Sequence, residues 1–230
     1  MNVDRRVMWH LRRVPLLDGL GAEALGRLAG GAEIVEARRR HVLYLPGDPG
    51  SHVYLLHAGR VKVSKVTRDG KELTLRYYAP GEIIGETCLE GGGPREEMAE
   101  IAEAATLTLV GRQLFEEVAR GSVVLAWRLA LLGCERRREL EYRIEFLMFK
   151  NVAAKLAELL LQFGEEHGRD DPRGTMLDLR VTHQELANLM GSTRETVSLT
   201  VSQFRRKGYI QTDGRKLIVT DREGLRSLCV

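Results

Sequence analysis

Between Thr182 and Lys207 the chain reads THQELANLMGSTRETVSLTVSQFRRK, and its polar chemistry falls on one helical stripe. Glu195, Ser198, Leu199, Ser202 and Arg206 share a face, with Arg194 and Thr193 leading into it. Guanidinium, carboxylate and hydroxyl groups at this spacing suit hydrogen bonds to base edges and phosphates. They offer no nucleophile with a base beside it. Leu186, Leu189, Val197, Val201 and Phe204 supply the opposite, inward positions.

Two helices are needed to hold that stripe. Thr182 with Glu185, and Ser192 with Glu195, each have capping-box spacing. Gly191 sits between them, where glycine makes a tight turn least costly, and Gly208 follows as a C′ residue. This is helix-turn-helix spacing, with the second helix shaped for a DNA major groove. Two amphipathic helices about a glycine also occur in many all-α proteins, so the flanking residues matter. Tyr209-Ile210 and Leu217-Ile218-Val219 flank Asp213-Gly214, a hairpin signal, with Arg215 and Lys216 beside the turn as a basic wing. Arg180, Arg194, Arg205, Arg206, Lys207, Arg215 and Lys216 outnumber Glu185, Glu195 and Asp213 across this region, a footprint suited to phosphate.

The 230 residues and net charge of +3 allow one large domain or two ordinary ones and name no partner by themselves. No apolar run approaches the roughly 18 residues that span a bilayer, and the start MNVDRRVMWHLRRV lacks a secretory apolar core. Cys88, Cys134 and Cys229 are too far apart for a disulfide framework or a metal site, which fits a reducing cytoplasm.

In chain order, Asp18 to Leu28 predicts an entry helix. Val42–Leu45, Val53–Leu56, Val61–Val66, Leu73–Tyr78 and Ile83–Ile84 are short β-rich runs between turn signals, followed by strand over Met98–Val110. Such spacing predicts an antiparallel sandwich or barrel. Alternation over Val61–Val66 predicts a sheet wet on one side. Arg112–Val118 reads as a short helix. Ser122–Phe149 reads as a long one, with Leu125, Leu129, Leu132, Leu140, Ile144 and Leu147 as its stripe, a pattern that pairs with a second copy. Asn151–Gly164 is a helix, GRDDPRG (168–174) a polar loop, Met176–Leu179 a strand, and Thr220 with Glu223 caps a last helix. The organisation is α+β: residues 1–120 sensor, 121–150 dimerisation helix and 151–230 winged helix-turn-helix.

That order, with Gly81-Glu82-Ile83-Ile84-Gly85-Glu86, a later Arg95 and Gly191-Ser192-Thr193-Arg194-Glu195-Thr196-Val197-Ser198, resembles the bacterial CRP/FNR family of transcription regulators over about Leu16–Leu228. The resemblance implies an antiparallel β-roll of cyclic-nucleotide-binding type. It also implies a homodimer on palindromic duplex DNA and contact with RNA polymerase. It casts Arg194 as a guanine reader, Glu195 as an acceptor from cytosine or adenine, and Ser198 as a base neighbour. Thr182, His183 and Gln184 then meet phosphates. Leu199 departs from the arginine found in the catabolite-activator and FNR branches, so the half-site is expected to differ there.

At the effector end the resemblance implies a pocket of Gly85, Glu86, Arg95, Glu96, Leu140 and Glu141. Three departures stand out. Glu96 replaces a phosphate-binding hydroxyl, and Leu140 and Glu141 replace hydroxyls at the adenine edge. A carboxylate about 4 Å from a cyclic phosphate at an effective dielectric near 20 costs roughly 4 kcal/mol. The expectation is independence from cyclic AMP, with Arg95 paired to Glu86 or Glu96; the alternative is a regulator responsive to a cyclic nucleotide or dinucleotide. No cysteine precedes Cys88 for an iron–sulfur cluster, and the haem branch's histidine or cysteine after Gly81 is replaced by Gly85 and Thr87. No cofactor is expected, though a small effector of unnamed identity is compatible. Pairs such as Cys88 with a histidine, or His183 with Glu185, lack a nucleophile elbow or metal spacing, so no enzyme is expected.

Overall fold

The structure, a computed structural model, describes residues 5–178, 181–214 and 216–229. The chain divides into two compact units, Met1–Arg136 and Arg137–Val230.

The first unit begins with α1 (Arg5–Leu11) and α2 (Ala22–Gly30). α1 was not legible in the sequence because only Val7 and Leu11, one turn apart, are buried on it. Strands β1 (Ala32–Ala37), β2 (Val42–Tyr44), β3 (His52–Val66), β4 (Glu72–Tyr78), β5 (Ile83–Ile84) and β6 (Met98–Gly111) pair antiparallel in the order β1-β6-β3-β4, with β2 on β6 and β5 on β3. The two runs expected at Val53–Leu56 and Val61–Val66 are one strand. It bends through register shifts between Leu56 and Val61 against β6, around Ala58 and Gly59. A further bulge between Val63 and Ser64 reverses the expected alternation, leaving Ser64 buried and Val66 exposed.

The roll has two apolar clusters. Tyr44, Leu56, Val61, Tyr78, Ile84, Ile101 and Leu107 form one. The other gathers Leu11, Leu28, Val53, Leu55, Phe115 and Leu125 from the helices α1, α2, α3 (Arg112–Arg120) and α4 (Val123–Phe149) against the sheet. Leu129 and Leu132 pack on this second cluster. Both were expected on the dimer seam, and each is half-buried against the chain's own roll. The outward apolar side chains of α4 include Val123, Trp127, Leu131, Leu140, Ile144, Met148 and Phe149; Leu147 is half-buried.

The second unit contains the rest of α4, then α5 (Val152–His167), capped by Asn151 Oδ1 accepting from Ala154 N–H at 2.9 Å. GRDDPRG is not an open loop but part of a hairpin, β7 (Gly168–Asp171) with β8 (Gly174–Leu177). β8 ends at Leu177; Leu179 and Arg180 lie outside the described residues. α6 (His183–Met190) and α7 (Arg194–Arg206) precede the hairpin β9 (Ile210–Asp213) and β10 (Lys216–Val219), with α8 (Arg222–Arg226) last. The four strands order as β7-β8-β10-β9. Leu156, Leu160, Leu186, Met190, Val197, Phe204 and Ile218 are buried here. Asp221, not Thr220, caps α8, because its carboxylate accepts from Gly224 N–H at 2.8 Å. The architecture is thus an antiparallel β-roll, a long helix and a winged helix-turn-helix.

Candidate nucleic-acid interface and effector pocket

α6 opens with the expected capping box. Thr182 Oγ1 accepts from Glu185 N–H at 3.1 Å, and Glu185 Oε2 accepts from Thr182 N–H at 2.7 Å. Gly191 ends the helix in the left-handed region (φ 59°), where a side chain would be strained. Two cations hold this end, Lys155 buried and Arg143 half-buried. Lys155 Nζ donates to Leu147 O at 3.0 Å and Met190 O at 3.4 Å, and Arg143 donates to Leu189 O. A cation suits the negative end of a helix, so both help fix the turn. Burial pushes the Lys155 ammonium below its ordinary value, with Arg143 acting in the same direction.

α7 begins one residue later than expected. Thr193, rather than Ser192, is its N-cap and accepts from Thr196 N–H at 3.2 Å. Glu195 is therefore not the reciprocal partner of a capping box. Its carboxyl is held below its ordinary value by its own backbone N–H, then by Thr193 and Arg194. Val197, Val201 and Phe204 are buried, as the spacing predicted. Arg194, Glu195, Ser202, Arg205 and Arg206 are exposed, and Leu199 is 67% exposed on the same side. Among the described residues, Arg194, Arg205 and Arg206 make no ion pair. Ser198 and Ser202 donate to the carbonyls of Arg194 and Ser198, at 2.9 and 2.8 Å. Ser198 Oγ also lies 2.8 Å from His183 Nδ1, and Gln184 donates to Asn188 at 2.8 Å.

The wing is less available than its sequence suggested. Lys216 is paired with Asp178 at 3.0 Å, and Asp213 with Arg173 at 2.8 Å. Arg215 lies outside the described residues.

In the roll, Arg95 is 4% exposed. It pairs with neither Glu86 nor Glu96, contrary to expectation. Nη1 donates to Gly85 O at 2.6 Å, Nη2 donates to His52 O, and the guanidinium lies 4.4 Å from the Tyr44 ring centroid. Gly85 permits this approach, since a Cβ there would stand 2.6 Å from Arg95 Nη1. Glu96 turns outward onto Lys65 at 2.8 Å, so the repulsion assigned to it does not act within the roll. In the extended segment before β6, Arg95 turns inward and its neighbour outward.

Glu86 is instead met by Arg136, a residue the sequence reading missed. Arg136 Nε lies 3.3 Å from Glu86 Oε1 and Nη1 3.6 Å from Glu82 Oε1. Arg76 also pairs with Glu82, and both guanidiniums lie over Tyr78 at 5.1 and 4.8 Å. Burial pushes the Glu86 carboxyl up, and Arg136 opposes that shift most strongly. The run Glu135-Arg136-Arg137-Arg138-Glu139 read as a charged interruption, and nothing in its spacing singled out Arg136. Leu140 is 56% exposed, and Glu141 pairs with Arg137 at 3.5 Å. Among the described residues no group of three metal-ligating side chains occurs, and no helix is long and apolar enough to cross a membrane.

Comparison with known proteins bears on both ends of the chain. Residues 34–122 match the cyclic nucleotide-binding domain family, and 154–228 the Crp-like helix-turn-helix domain. The chain is 32% identical over 201 residues to the transcriptional regulator SdrP of Thermus thermophilus, covering 85% of this chain and 94% of that one. It is 25% identical to a CRP-like cAMP-activated global transcriptional regulator of Mycobacterium tuberculosis, covering 94% of this chain and 96% of that one. A solved CRP/FNR-family regulator from Thermus thermophilus superposes with a TM-score of 0.66 at 30% identity, covering 86% and 98% of the two chains.

Proposed function

Because the chain belongs to the CRP/FNR family of DNA-binding transcription regulators, we propose that it is a homodimer reading a palindromic duplex through α7 and acting through contact with RNA polymerase, without cyclic AMP. The observation that carries the reading is the division of α7. One side is buried in Val197, Val201 and Phe204, and the other offers Arg194, Arg205 and Arg206 with no ion pair among the described residues. Arg194 reads a guanine through O6 and N7, Glu195 accepts from a base amine, and Leu199 offers only apolar contact. Thr193, Ser202 and Arg206 border that face, and Thr182, His183 and Gln184 approach the phosphates. Dimerisation uses the outward face of α4 at Trp127, Leu131, Ile144 and Met148, where large apolar side chains stand in solvent.

The roll fits a cyclic nucleotide poorly. Arg95, the cation such a phosphate needs, is committed to two carbonyls and an aromatic ring, and Glu86 is paired with Arg136. Glu96 lies outside on Lys65 and plays no part in this, so independence from the nucleotide rests on these internal partners. The relative from Mycobacterium tuberculosis is described as cAMP-activated, which makes the nucleotide the effector to test. Selection of bound fragments from random duplexes, without nucleotide, should yield a two-fold symmetric motif. Arg194→Ala should relax one position in each half-site at a cost of about 1–3 kcal/mol. An unchanged motif would mean that another surface reads DNA.

A further inference from the structure

Ser198 Oγ stands 2.9 Å from the Arg194 carbonyl oxygen and 2.8 Å from His183 Nδ1. A serine hydroxyl has a single proton, and a carbonyl can only accept. With that proton directed at Arg194, the Ser198 oxygen is left as an acceptor. His183 Nδ1 must then carry the hydrogen the two side chains share. A neutral imidazole has one N–H, so neutral His183 presents a bare lone pair at Nε2. A phosphate oxygen is also an acceptor and cannot bond to it.

His183 is the first residue of α6, where unpaired backbone N–H groups and the helix dipole favour an anion. We propose that His183 is a proton-linked phosphate contact: Nε2 engages the DNA backbone only after gaining a proton, so binding takes up one proton per half-site and tightens as pH falls. This rests on the reading of α6 and α7 as the DNA-binding unit. Among the described residues, no carboxylate of the packed elements pairs with His183. Glu185 is turned back onto Thr182, Arg194 and Glu195 open α7, and Lys155 and Arg143 serve the far end of α6. The linkage has a definite sign. Phosphate favours the charged imidazole, so affinity is greatest at low pH and is lost as pH rises.

The test uses the full chain and a duplex recovered by selection, at fixed ionic strength, from about pH 8 to about pH 6, where an imidazole gains its proton. Wild-type affinity should rise by up to about tenfold per pH unit per half-site. Calorimetry in buffers of different ionisation enthalpy should show proton uptake. H183Q should bind weakly with little pH dependence. H183R should bind tightly and flatly, because its guanidinium stays charged. S198A should flatten the wild-type slope, since neutral His183 is then free to place its hydrogen on Nε2. A wild-type profile as flat as that of H183Q, or affinity rising with pH, would overturn the proposal. Absence of duplex binding at every pH would remove the DNA-binding reading along with it.

Discussion

Cations in the two halves of this molecule are treated in opposite ways. On α7, Arg194, Arg205 and Arg206 face solvent and make no ion pair among the described residues. In the roll, Arg95 is buried on backbone carbonyls, and Arg136 and Arg76 close over Glu82, Glu86 and Tyr78. An exposed, unpaired arginine gives up little to meet a phosphate or a base. A buried, paired one must first leave its partners, and breaking such a pair costs several kcal/mol. The first arrangement is poised for a ligand from outside, whereas the second supplies its own.

The strongest way to break that contrast is to remove the dimer on which a palindromic reading depends. Trp127→Glu with Ile144→Glu should give folded monomers whose affinity for the selected duplex falls by roughly a thousandfold or more. Sedimentation showing an intact dimer would place the interface elsewhere. Next in size is the internal lock. Arg136→Ala leaves the half-buried Glu86 without its nearest cation, and should destabilise the first unit by about 3 kcal/mol in denaturant titration. Adding Glu86→Gln should recover most of the loss, and a strictly additive double variant would deny the coupling.

Smaller effects sharpen the open side. Lys155→Met leaves Leu147 O and Met190 O without their cation, at a cost of about 1–3 kcal/mol in stability of the second unit. Arg206→Ala should weaken binding to all sequences alike and lower the salt slope by about 1 per subunit. The least effect is one of pH on the roll. Burial, then His10, pushes His57 from 6.5 down to about 4. The folded state holds it neutral, so stability is full above the unfolded value and declines as pH falls from about 6.5 toward 4. His57→Gln should flatten that decline in acid titrations followed by circular dichroism.

The helix-turn-helix was legible because its signals are local. Gly191, the Thr182–Glu185 box and the inward Leu186, Val197 and Phe204 all fall in one continuous stretch of sequence, residues 182–204, spanning two adjacent helices. Even there, Ser192 and Thr193 are both good caps, and only backbone geometry chose Thr193. The roll was legible as strands but not in phase, because the bulge at Val63 and Ser64 swaps inner and outer positions. The pocket was misread for a different reason: adjacent Arg95 and Glu96, in the irregular segment before β6, turn to opposite sides of the chain. Arg136 could not be found locally, since its partner Glu86 is 50 residues earlier and the pair exists only once α4 folds back on the roll.

The contrast between open and closed cations is tested most directly by duplex affinity with and without cyclic AMP, alongside calorimetry of the nucleotide with the full chain. The account predicts full-strength, sequence-specific binding in its absence, an affinity unchanged by its addition, and no nucleotide binding tighter than about millimolar. Micromolar nucleotide binding accompanied by tighter DNA association would contradict it. Arg95 and Glu86 would then exchange their internal partners for the ligand.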